Sequence, residues 1–142
     1  MREGDKISMS DDPLDASRSL EQIENDYWRV PPPDTTRLVK TVHRLRRAPV
    51  GELQPEDLRL LVSQNVGLSV VVPIALRLIR DNPMVEGDLY PGDLLVAVLN
   101  VPRSYWRDHA EHCNKLVQVV VSRSFELDEF EREISSFLKQ LE

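Results

Sequence analysis

Apolar residues recur at intervals of three and four through most of this chain, and the polar residues between them mark where each run starts and stops. Ser19-Leu-Glu-Gln22 has the form of a capping box, with Ser19 as N-cap and Gln22 three positions on. It predicts a short helix presenting Leu20, Ile23 and Tyr27. Pro31-Pro32-Pro33 then forbids helix and imposes an extended segment. Asp34 or Thr35 can cap a helix over about 35–47, with Leu38, Val39, Val42 and Leu45 on one face. Its other face carries Arg37, Lys40, Arg44, Arg46 and Arg47. After the break at Ala48-Pro49-Val50-Gly51, Pro55 stands as a first helical residue with Glu56 and Asp57 in the first turn. Leu58, Leu61, Val62 and Val66 form its stripe, and Gly67 suits a C-cap.

A helix over about 68–81 follows, bearing Val71, Ile74, Ala75, Leu78 and Ile79. Apolar over much of its circumference, it belongs at the centre of a core. Pro73 fits only near its beginning. Glu86-Gly87-Asp88 marks a loop, and Pro91-Gly92-Asp93 opens a helix over about 92–100 with Leu94, Leu95, Val98 and Leu99. Pro102 opens a longer one, with Trp106, His109, Cys113, Leu116, Val117 and Val120 on one face. The β-branched run Val119-Val120-Val121 leaves a strand as the alternative there. The last helix, about 126–141, carries Leu127, Phe130, Ile134, Phe137, Leu138 and Leu141, with Glu126, Asp128 and Glu129 at its start.

These elements predict an all-α, compact single-domain helical bundle of about six to seven helices joined by short connections. Residues 1–18 are polar and aperiodic and are expected to form a mobile tail, leaving 19–142 as the helical domain. Composition supports folding: 142 residues, 41% hydrophobic and 30% charged, are enough for one core. The single cysteine, Cys113, rules out an internal disulfide and suits a reducing compartment. No apolar stretch reaches the length of a membrane span and the opening residues do not read as a secretory signal, so a cytoplasmic protein without membrane contact is expected.

The net charge of −6 makes nucleic acid an unexpected partner and favours a basic protein surface. The basic helix face has no interleaved aromatic residues to stack bases, and reads as a solvated face paired with the chain's own carboxylates. Tyr27-Trp28 and Tyr105-Trp106 read as core aromatics, with an exposed anchor as the alternative for one pair. His109, His112 and Cys113 share a helix face, but a metal site needs further ligands, so a half-buried face is the plainer reading. No nucleophile motif is present, and no enzyme activity, catalytic residue, metal or cofactor is expected.

Three stretches resemble a known family. SLEQIENDYW at 19–28, LVKTVHRLRRAPVGELQPEDLRLLVSQNVGL at 38–68 and PIALRLIRDNPMVEGDLYPGDLLVAVLNVPRSYWR at 73–107 are similar to segments of contact-dependent growth inhibition immunity proteins. Val42 departs from that pattern, where the family often has Cys, and the chain beyond about 112 is longer than in many members. The resemblance implies a cytosolic protein that binds the cognate C-terminal toxin domain of a contact-delivered protein.

Acidic residues concentrate in two segments, which supply the expected contact residues: Glu86, Asp88, Tyr90 and Asp93, then Glu126, Asp128, Glu129 and Glu133. If the toxin is a nuclease, its phosphate-binding cleft is positive, and an acidic inhibitor fits it as a charge mimic. Asp88 and Asp93 also suit turn and cap roles. The alternatives are a metal-dependent helical hydrolase using His109 and His112, or a general helical adaptor. The sequence leaves the oligomeric state open.

Overall fold

The computed structural model describes residues 15–142, and among them eight α-helices and three short 3₁₀ turns account for nearly all regular structure. Pairing of extended chain is confined to two isolated bridges, so the all-α expectation holds. Packing divides the described residues into two units, one ending at Glu52 and one spanning Leu53–Glu142.

In the first unit, α1 (Leu20–Glu24) begins with the expected capping box: Ser19 Oγ accepts the Gln22 N–H at 3.3 Å and Gln22 Oε1 accepts the Ser19 N–H at 2.9 Å. α2 (Arg37–Arg47) starts one residue later than the expected caps, because Thr36 Oγ1 accepts the Val39 N–H. The expected tail over 1–18 lies mostly outside the described residues. Its last part is hydrogen-bonded: Arg18 and Ala16 carbonyls accept the N–H groups of Val50 and Gly51 at 2.8 and 2.9 Å. That approach leaves no room at Gly51, where a Cβ would lie 2.8 Å from Ala16 Cβ.

Arg46 corrects the basic-face expectation. Its side chain is 2% exposed, and it donates to Glu24 Oε1 at 2.8 Å and to the Asp26 carbonyl. Val42, Leu45 and Arg46 thus form the buried face of α2, while Leu38 and Val39 stay exposed.

In the second unit, α3 (Pro55–Ser63) starts at Pro55 as expected, with Asp57 Oδ2 accepting the Gln54 N–H. It ends before Gly67: Gln64 is the C-cap, Asn65 takes the left-handed conformation, and Gly67 (φ +62°) opens the next helix. That helix, α4 (Leu68–Asp81), packs against α3, α5 (Asp93–Leu99) and α7 (Ala110–Ser122). Val70, Val71 and Val72 are all buried, which requires neighbours on several sides and makes α4 the core helix, as its pattern predicts. Leu58, Leu61, Ile79, Leu94, Leu95, Leu116 and Phe137 are at most 1% exposed, each contributing about 1.5–3 kcal/mol of burial.

The helix expected from Pro102 is two helices, α6 (Arg103–Asp108) and α7, broken at His109 (φ −134°, ψ 62°). The Tyr105 carbonyl, which the His109 N–H would reach in a continuous helix, instead accepts from His109 Nδ1 at 3.0 Å, a side chain competing with the backbone ladder. Val119–Val121 are helical, which settles the strand alternative. The last helix, α8 (Glu131–Gln140), starts later than expected, because 124–126 and 128–130 form 3₁₀ turns with Leu127 and Phe130 buried.

Candidate functional site

The segment Glu86–Asp93 is folded around one carboxylate. Asp93, 1% exposed, accepts the Gly87 N–H on Oδ1 at 2.6 Å and the Leu89 and Tyr90 N–H groups on Oδ2 at 2.9 and 3.4 Å. Arg59 Nε lies 3.9 Å from the same Oδ2. Arg59 also grips Glu56 through two bonds of 2.7 and 2.6 Å, and Glu56 Oε1 accepts the Asp88 N–H at 2.8 Å. The Arg59 hydrogen bonds hold the Glu56 carboxyl below its ordinary range, against the opposing effect of burial and with help from the Asp88 N–H. Gly87 has to be glycine for this approach, since a Cβ would lie 2.7 Å from Glu56 Oε1 and 3.0 Å from Asp93 Oδ2.

Asp93 is therefore corrected from a contact residue to the internal anchor of its loop. A buried carboxylate with this set of donors has no surface to offer. Glu56 and Arg59 belong to the same device, which sequence spacing did not reveal because they lie a helix away.

The loop holds Glu86, Asp88, Leu89 and Tyr90 outward, all exposed, with Leu89 at 61%. The second acidic segment lies against it. The Phe130 ring fills the space beside Gly92, where a Cβ would stand 2.5 Å from Phe130 Cε2, and sits 6.4 Å from the Tyr90 ring. Gly92 also has φ +88°, a conformation other residues rarely take. The structure thus joins the two acidic segments through Tyr90 and Phe130. The two segments joined this way carry seven carboxylates besides Asp93 (Glu86, Asp88, Glu126, Asp128, Glu129, Glu131 and Glu133), and the second also holds Arg123 and Arg132. Arg123 stands 3.6 Å from Glu126. Asp128, Glu129, Glu131, Arg132, Glu133 and Ser135 line an open groove, and Phe125, 76% exposed, lies beside the acidic turns. Glu131, Leu89 and Phe125 are not among the contact residues expected from the sequence.

The first unit carries a face of the opposite sign. Arg37, Lys40, Arg44 and Arg47 are exposed and form no ion pair among the described residues, where only Arg46 of the basic stripe pairs with the chain's own carboxylates. Trp28 is not a core residue. It lies edge-on to His43 at 5.1 Å, under the Arg46 guanidinium at 4.3 Å, and its Nε1 donates to Asp26 Oδ2 at 3.4 Å. Tyr27 beside it is exposed, whereas Tyr105 and Trp106 are buried as expected.

The histidine face of α6 and α7 is built on hydrogen bonds. His109 stacks on Tyr105 at 4.0 Å, and Tyr105 Oη bridges His112 Nδ1 at 2.8 Å and the Leu68 carbonyl at 3.2 Å. The carbonyl only accepts, so the tyrosine proton points to it and His112 Nδ1–H donates to Oη. Burial raises the Tyr105 and Cys113 pKa values and lowers that of His112, to which His109 and Lys115 add. Among the described residues, no three His, Cys, Asp or Glu side chains converge as a metal-ligand set. Among them, too, no helix is long and apolar enough to cross a membrane.

A family model described as CDI immunity proteins matches residues 22–116, a span that includes α2 to α6, most of α7 and the whole Asp93-anchored loop. No curated protein and no solved structure matches the chain.

Proposed function

We propose, from the premise that this chain belongs to the family of CDI immunity proteins, that it neutralises its cognate toxin domain by laying the joined acidic face of its second unit over a cationic surface of that toxin. The observation that carries this reading is the meeting of two acidic segments, far apart in sequence, on one Tyr90–Phe130 contact, with Leu89 and Phe125 exposed among the carboxylates. Carboxylates steer encounter with a basic partner, and desolvated aromatic and apolar side chains then slow dissociation. A stable contact of this kind covers about 800 Å² on each partner. The toxin class that fits best is a nuclease, whose phosphate-binding surface must be positive. The protein acts in the cytoplasm, where such a toxin meets its substrate, and needs no bond-making step of its own.

The test is co-expression with the toxin domain encoded beside this chain. Wild-type protein restores growth and co-purifies with the domain. A quadruple variant, Asp88→Lys, Asp128→Lys, Glu129→Lys and Glu131→Lys, folds normally yet slows association by at least about tenfold at low salt. Equal rates for variant and wild type, with growth still protected, refute the acidic face as the docking surface.

A further inference from the structure

The acidic face has a counterpart on the same chain. At about 100° per residue, Arg37, Lys40, Arg44 and Arg47 fall within an arc of roughly 80° on α2. His43 lies along one side of this stripe, with Trp28 held against it. Four like charges at three- and four-residue spacing repel by a few tenths of a kcal/mol per pair, and no carboxylate among the described residues relieves them. Beside them, Trp28 is fixed by Arg46, His43 and Asp26 while still 37% exposed, and Tyr27 and Val39 extend the apolar edge. A pre-positioned aromatic next to arginines is the composition of an interface anchor.

We propose that this basic, aromatic-edged face docks on the acidic face of a second copy of the chain. The two surfaces are complementary in kind: four exposed cations with Trp28 and Tyr27 on one, and seven carboxylates with Leu89, Tyr90 and Phe125 on the other. A second copy always supplies the acidic surface at the same concentration as the basic one. The contact is head-to-tail, so each added copy brings one face of each sign and the copies assemble as chains, open or closed on themselves. One consequence rests on the proposed function: a toxin that covers the acidic face competes with the neighbouring copy, so binding it breaks the chains into one-to-one complexes.

Sedimentation velocity of the purified full chain, from low to high micromolar, tests the association with no toxin present. Its failure therefore leaves the toxin reading standing. The average mass rises with concentration at low ionic strength and falls to that of a monomer at about 1 M salt, where the Debye length is about 3 Å. A basic-face variant (Arg37→Gln, Lys40→Gln, Arg44→Gln) and an acidic-face variant (Asp128→Asn, Glu129→Gln, Glu131→Gln) each weaken association by about tenfold or more. All six positions are on the surface, and circular dichroism verifies that both variants fold. Mixed in equal amounts, the two restore one intact pair of faces and form dimers that grow no further. A monomer throughout the range at low salt overturns the proposal. So does association that neither variant weakens, or mass that derives from nucleic acid bound to the basic face.

Discussion

Asp93→Asn removes one charge and one acceptor from a side chain that is 1% exposed. An asparagine places its NH₂ either against the Leu89 and Tyr90 N–H groups and Arg59, or against the Gly87 N–H, which donates at 2.6 Å in the wild type. Either orientation leaves at least one buried donor unpaired, at about 1–3 kcal/mol. The bonds that survive change from charge-assisted to neutral, losing about 1 kcal/mol more. Relief from burying a carboxylate returns part of this, so a net loss of about 2 kcal/mol is expected. That is a large share of a typical 5–15 kcal/mol, and it corresponds to a fall in Tm of roughly 7 °C. Urea unfolding followed by the fluorescence of buried Trp106, in a Trp28→Phe background, gives the loss directly. Hydrogen exchange adds the location: the amides of Gly87 and Leu89 lose protection before those of α4. A loss under about 0.5 kcal/mol, the range of ordinary surface substitutions, would refute the anchor role of Asp93.

Three further outcomes follow from the same geometry. Arg46→Met leaves Glu24 and the Asp26 carbonyl without their donor and removes the cation over Trp28. It should cost about 2–4 kcal/mol, with Glu24's partial exposure holding it toward the low end, and a red shift of Trp28 emission checks it. Gly92→Ala combines a φ of +88° with a Cβ 2.5 Å from the Phe130 ring, so a loss of about 2–3 kcal/mol is expected in thermal melts, with weaker toxin binding as the two acidic segments part. The folded state holds His112 below its ordinary pKa of 6.5, chiefly by burial. Above that pH the histidine is neutral in both states and costs nothing. As pH falls below it, the unfolded chain takes up a proton that the fold resists, and stability declines until the lowered pKa is passed. His112→Gln should flatten the fall in Tm between about pH 7 and pH 5, and an unchanged slope counts against burial of this ring as its cause.

The order of helices was legible because each run of this chain states its period and its punctuation. Ser19 and Gln22 cap α1, Pro55 opens α3, and the apolar circumference of 68–81 marks the helix at the centre of its unit. Such signals are local, so the residues that carry them lie within a few positions of what they control. The same locality explains the misses. Arg46 looked like one more exposed cation because its partners, Glu24 and Asp26, lie 22 and 20 residues before it, at the end of the preceding helix and just beyond it. Trp28 looked like core because its type is usually buried, and only the fold shows it laid along the outside of α2. His109 interrupts a good helical pattern through its own ring, which periodicity does not register.

The acidic composition of 84–93 and 124–142, and the family to which the chain belongs, were present in the residue order itself. Which carboxylates lie at the surface was decided only by tertiary structure. Glu86, Asp88 and Asp93 are equivalent as letters, yet the third is enclosed by three backbone donors while the other two stay in water. Phe130 and Gly92, far apart along the chain, then set two acidic segments side by side. Charge is a property of residue type, whereas a binding face is a property of adjacency, and adjacency between distant segments exists only after the chain has packed.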